Sequence, residues 1–187
     1  MRFKMFASVT AMAAPFVLLG ANAGAKDFHG TFSGFEETGP LPGPTAAETG
    51  AILSPATATV DLDLNRAART ITFKLTFSGF TTDVLQAHIH FGKRHVPGGV
   101  IVFFCDNLPN NPPAGTQACP TRSGTVTGTF MAGSVVGPAA QGIPAGDFDG
   151  LVAALDSDTA YGNIHTTNHP GGEIRAQIRH DEDDDRK

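Results

Sequence analysis

Val60-Asp-Leu-Asp-Leu-Asn-Arg-Ala-Ala-Arg-Thr-Ile-Thr-Phe-Lys-Leu-Thr-Phe77 alternates apolar and polar residues on both sides of a short break. Val60, Leu62 and Leu64 are separated by Asp61 and Asp63, and Ile71, Phe73, Leu75 and Phe77 by Thr72, Lys74 and Thr76. A period of two puts each apolar set on one side of an extended chain, so both runs read as half-buried strands, and the break is short enough for a hairpin. Further strands are expected at Phe28–Phe35, Val84–Phe91, Gly99–Phe104, Gly124–Phe130, Ala160–Thr166 and Glu173–Arg179, divided by turn residues. About eight short strands predict an all-β domain, a Greek-key sandwich or flattened barrel. Ile71, Phe73, Leu75 and Phe77 should face its interior together with Ile89, Phe91, Ile174 and Ile178. One segment has the other period: Phe148, Leu151, Val152 and Leu155 recur at helical spacing behind Asp147, which predicts a short helix with an Asp N-cap.

The ends of the 187-residue chain differ from this body. Arg2 and Lys4 precede an apolar run from Phe6 to Leu19, followed by small residues at Ala21, Ala23 and Ala25. That order predicts a secretory signal peptide over residues 1–25, cleaved after Ala23 or Ala25, and a periplasmic or secreted product with no transmembrane segment in the mature chain. One domain then occupies residues 26–180, and residues 181–187 form an acidic, solvated tail. Without Arg2 and Lys4, 11 basic residues face 18 acidic ones, which excludes nucleic acid as a partner. The stretch Glu36–Pro55, with four prolines, is a loop leaving the first strand.

Cys105 and Cys119 are the two cysteines of the chain. In an oxidising compartment they are expected to form a disulfide, since their spacing matches no zinc motif.

The chemistry-bearing residues are histidines. His88 and His90, in Gln86-Ala-His-Ile-His-Phe-Gly92, stand at i and i+2, so a strand puts both imidazoles on one face. Tyr161, Asn163 and His165 share a face of Ala160–Thr166 in the same way, and each segment runs into a Gly/Pro turn that feeds another strand. His88, His90 and His165 are therefore the candidate metal ligands, with His169 or His95 as a fourth. Imidazoles alone suit copper(II), zinc or nickel. Glu173 and Arg175 share a strand face and suit either a cross-strand ion pair or, for Arg175, the guidance of an anion to the histidines. No Ser-His-Asp order, Walker loop or Gly-rich dinucleotide turn is present in the sequence.

Leu85-Gln-Ala-His-Ile-His-Phe-Gly92 with Gly98-Gly-Val-Ile-Val-Phe103, and Ala160-Tyr-Gly-Asn-Ile-His-Thr166 with Pro170-Gly-Gly-Glu-Ile-Arg-Ala-Gln-Ile178, resemble the two signature blocks of the CHRD domain, which is repeated in secreted chordin and occurs singly in bacterial exported proteins. Phe32-Ser-Gly-Phe-Glu-Glu37 resembles its opening strand, and the chain departs from the pattern at Gly162 and Ala176. A second resemblance is to copper-zinc superoxide dismutases, in which an HxH strand, a later His and an Arg beyond a Gly-rich turn come in the order of His88, His90, His165 and Arg175. The first resemblance implies an exported, non-catalytic module for an extracellular or periplasmic ligand. The second implies a copper-binding protein and, if an enzyme, a copper-dependent oxidoreductase acting on superoxide.

Overall fold

The computed structural model describes residues 25–38, 50–109 and 112–181. Residues 1–24 of the expected leader, 39–49 of the proline-containing loop and 182–187 of the acidic tail lie outside the described residues. The strands are β1 (Ala25–Phe32), β2 (Thr57–Asn65), β3 (Thr70–Ser78), β4 (Val84–Phe91), β5 (Gly99–Asp106), β6 (Gly124–Phe130), β7 (Ala160–Thr166), β8 (Ile174–Gln177) and β9 (Arg179–His180), with one helix, α1 (Phe148–Asp156), before β7. They form a five-stranded antiparallel sheet in the order β6-β3-β2-β1-β9 and a four-stranded one in the order β5-β4-β7-β8. The two make a sandwich rather than a closed barrel.

The β2–β3 hairpin is built as its alternation requires. Burial strictly alternates along both strands, and Ile71, Leu75 and Phe77 are sealed inside while Phe73 stacks on Phe130 with ring centroids 4.4 Å apart. Asn65 Oδ1 accepts the Ala68 N–H at 2.9 Å and Arg69 takes a left-handed φ of 54°, which closes the turn. Ile89, Ile174 and Ile178 are buried in the same core, and Phe91 is half-buried at its edge. At α1 the Asp147 carboxylate accepts the Gly150 N–H at 2.9 Å as an N-cap, and Leu151 and Leu155 face the core.

β5 runs two residues beyond the expected Phe104, to Asp106, and two other strands differ more. The first ends at Phe32, because the Ser33 hydroxyl accepts the Phe35 N–H and the chain coils into a 3-10 turn at Gly34–Glu36. The last is divided: Ile174–Gln177 belongs to one sheet and Arg179–His180 to the other, with the Ile178 N–H donated to Ala160 O at the crossing. Alternation continues through a change of sheet, so it gives no sign of one.

Cys105 and Cys119 form a disulfide. Asn107 secures the same loop by donating to Val84 O and Cys119 O and accepting the Cys119 N–H. The departure at Gly162 has a packing reason: a Cβ there would stand 2.3 Å from Cζ of Phe32, whose ring fills the space.

The four-stranded sheet is buried on both faces. Its inner face carries Ala87, Ile89, Ile164 and Ile174, and all seven residues of β7 are buried. Chain at residues 37–38, 93–98 and 167–172 covers the outer face. The polar residues gathered there form the candidate site.

Candidate metal centre

β4 and β7 are antiparallel neighbours, with His88 opposite Asn163, His90 opposite Tyr161 and Gln86 opposite His165. His165 thus lies diagonally across from His88, near enough for side chains to meet. Register shifts in the β4–β5 ladder, between Ala87 and His88 and between Ile89 and His90, precede each histidine; such bulges re-aim side chains. Ring centroids are 5.3 Å apart for His88 and His90, 5.1 Å for His88 and His165, and 6.1 Å for His90 and His165. One ring nitrogen from each of the three lies within 4.8 Å of the others.

The hydrogen bonding of these rings is incomplete in a specific way. His90 Nδ1 meets Gly98 O at 3.0 Å and His165 Nδ1 meets Pro170 O at 3.0 Å. A carbonyl only accepts, so each Nδ1 carries the proton and each Nε2 presents a lone pair, the arrangement usual for metal-binding histidines. The Nε2 atoms of His90 and His165, and both nitrogens of His88, are shut off from solvent with no hydrogen-bond partner among the described residues. Atoms no more than 4.8 Å apart fit within about 2.8 Å of a common centre, so an inward tilt of less than about 1 Å per ring reaches metal–nitrogen bonds of about 2.0–2.1 Å.

Burial also keeps the rings neutral. It holds His88 down to about 2, with the charges of His165 and His90 adding to the effect, and His90 down to about 3, where the bond to Gly98 opposes it. His165 is lowered by burial too. At neutral pH each ring is therefore an uncharged donor.

Residues 38–178 match the CHRD domain. The chain belongs to the CHRD-domain family. The match spans β2 to β8, so both histidine strands of this CHRD protein lie inside it. No curated protein and no solved structure matches the chain. Among the described residues no helix is long and apolar enough to cross a membrane.

The other sequence candidates are placed apart from the three rings. His95 is exposed and its Nε2 pairs with Glu36 Oε2 at 3.0 Å. His169 has a buried, unpartnered Nδ1 but does not join the group at ligand distance. Glu173 and Arg175 do not pair with each other: Glu173 accepts the hydroxyls of Ser54 at 2.6 Å and Thr166 at 2.5 Å. The Arg175 guanidinium lies 3.4 Å over the Tyr161 ring and donates to Thr38 Oγ1, Lys93 O and Val96 O.

Glu37 was not legible as a site residue. Its buried carboxylate accepts from Asn163 Nδ2 and its charge favours the protonated form of His165. The 3-10 turn after β1 delivers it, and no periodicity marks such a residue.

Proposed function

We propose that this CHRD chain is an exported module that binds one late first-row transition-metal ion, copper(II) foremost, through His88, His90 and His165. One observation carries the reading: ring nitrogens from three strand histidines converge to within 4.8 Å, and each ring has a nitrogen sealed from solvent with no hydrogen-bond partner among the described residues. Solvent cannot satisfy the sealed nitrogens, whereas an ion with bonds of about 2.0 Å would do so once each ring tilts inward by less than about 1 Å. The carbonyl bonds at Gly98 and Pro170 support it, because they aim a lone pair inward from each ring. Copper(II) is placed first because it leads the divalent series at nitrogen sites. Export is part of the same reading, supported by the leader-like order of residues 1–25 and by the disulfide. The function assigned is holding the ion, and no reaction is assigned.

Metal analysis of untagged protein secreted through its own leader tests this. An equimolar amount of copper, lost in His88→Ala, is the expected result. Protein free of metal, with copper(II) affinity no tighter than about 1 μM, overturns it. Equimolar zinc in place of copper would keep the site and change the ion.

A further inference from the structure

We propose that Arg175 is the positioning residue of the histidine site, setting the plane of the His90 ring through Tyr161 and through the strap of residues 93–98. The consequence for metal affinity rests on the metal-binding reading; the setting of the ring does not.

His90 needs such a support. The torsion that turns an imidazole about its own bond is broad, so one hydrogen bond leaves the direction of Nε2 loosely defined. The His90 ring is stacked on Tyr161, with centroids 4.8 Å apart and planes 6° from parallel. β4 and β8 flank β7 on opposite sides, so His90 and Arg175 reach Tyr161 from opposite faces and hold its ring between them. The guanidinium carbon stands 3.4 Å from the ring centroid, a close cation–π contact.

A second arm runs through the strap. Arg175 donates to Lys93 O at 2.9 Å and Val96 O at 3.0 Å, which pins the strap across the sheet. Two residues later Gly98 donates its N–H to the Tyr161 hydroxyl at 3.0 Å and offers its carbonyl to His90 Nδ1 at 3.0 Å. A Cβ on Gly98 would stand 1.7 Å from Phe91 O, so only glycine brings that carbonyl to its place. Both arms begin at one guanidinium and end on one imidazole.

The identity of the residue supports the assignment. Arg175 is only 2% exposed, and among the described residues its hydrogen bonds go to a hydroxyl and two carbonyls. Burying a cation carries a desolvation cost that an apolar residue of similar volume avoids. A planar fork that covers an aromatic face while serving several acceptors is what arginine provides and lysine does not.

The test compares wild type, Arg175→Met, Arg175→Lys and Tyr161→Phe. Copper(II) affinity is measured against a competing chelator, the copper EPR spectrum is recorded, and the His90 ring is observed by nitrogen NMR in metal-free protein. Arg175→Met, shown by circular dichroism to be folded, should bind copper(II) about 10–100-fold more weakly, the range for loss of a residue that orients a ligand. Its EPR spectrum should change, and the His90 Nδ1–H signal should broaden or shift without metal. Arg175→Lys should not restore these signatures. A folded Arg175→Met with wild-type affinity, EPR spectrum and His90 signal overturns the proposal. If that variant does not fold, Arg175→Lys decides: it keeps the charge and loses the planar fork, and a folded Arg175→Lys with wild-type affinity, spectrum and His90 signal would overturn the proposal, while Tyr161→Phe reads the hydroxyl link to Gly98 alone. Should wild type bind no copper, the metal-binding reading fails, and the His90 signal alone judges the role of Arg175.

Discussion

Both ring nitrogens of His88 are buried with no hydrogen-bond partner among the described residues, and a buried polar atom left in that state costs about 1–3 kcal/mol. Stability alone gives no reason for a histidine at this position. His88→Leu is therefore expected to raise the stability of the metal-free protein by about 1–2 kcal/mol while abolishing any rise in melting temperature on adding copper(II). Urea unfolding and calorimetry read the two effects separately. A variant less stable than wild type by more than about 1 kcal/mol would mean that the ring has favourable partners in the fold.

The same burial sets a pH dependence. In the unfolded chain each histidine takes up a proton near pH 6.5. In the folded state His90 does so only at about 3 and His88 only at about 2, and His165 is lowered as well. Between those values the unfolded state binds more protons, so this contribution to stability is complete above about pH 6.5 and is lost as pH falls toward about 3. Metal-free wild type should therefore lose stability relative to a variant lacking all three histidines as urea midpoints are taken from about pH 7.5 to about pH 5. A constant difference between the two would show that the rings titrate freely.

Among the elements, the 93–98 strap is one of the three segments that cover the outer face, and it lies over the rings whose nitrogens are sealed from solvent. Its outer end is latched by Glu36, which pairs with Arg94 through both carboxylate oxygens and with His95. The hydrogen bond from Arg94 is the main cause holding the Glu36 carboxyl at about 2, so the latch stays charged at neutral pH. Glu36→Gln should accelerate copper(II) uptake and release together, several-fold each, with little change in equilibrium affinity. Stopped-flow exchange against a chelator measures this, and a change in affinity without a change in rates would assign Glu36 to the site itself. In the core, β3 contributes Phe73 to a cluster with Phe104 and Phe130. Phe73→Ala should cost about 3–5 kcal/mol in urea unfolding, and a cost below about 1 kcal/mol would contradict its packing.

For the whole molecule, the Cys105–Cys119 disulfide ties the end of β5 to the chain entering β6, and so links the two sheets. Closing a loop of about 15 residues stabilises by roughly 3 kcal/mol in the chain-entropy model. Cys105→Ser should lower stability by about that much. Because β5 pairs with β4 beside His88, the variant should also weaken metal binding. Equal unfolding midpoints with and without reductant would remove the disulfide from the stability of the domain.

Local chain geometry made part of this protein legible in advance. Val84–Phe91, Gly124–Phe130 and Ala160–Thr166 have the bounds that alternation assigns, and His88 and His90 share a face because side chains repeat every two residues along any strand. The same local rule says nothing about neighbours. That β7 pairs with β4, that the chain changes sheet at Ile178, and that Glu37 arrives from the turn after β1 are results of long-range pairing. Tertiary structure alone also decided that the outer face of the four-stranded sheet is buried, since the loops over it have no period of their own. Burial turns three strand histidines into neutral rings, each with a nitrogen that has no partner among the described residues, because the removal of water rather than residue type decides whether an imidazole is charged.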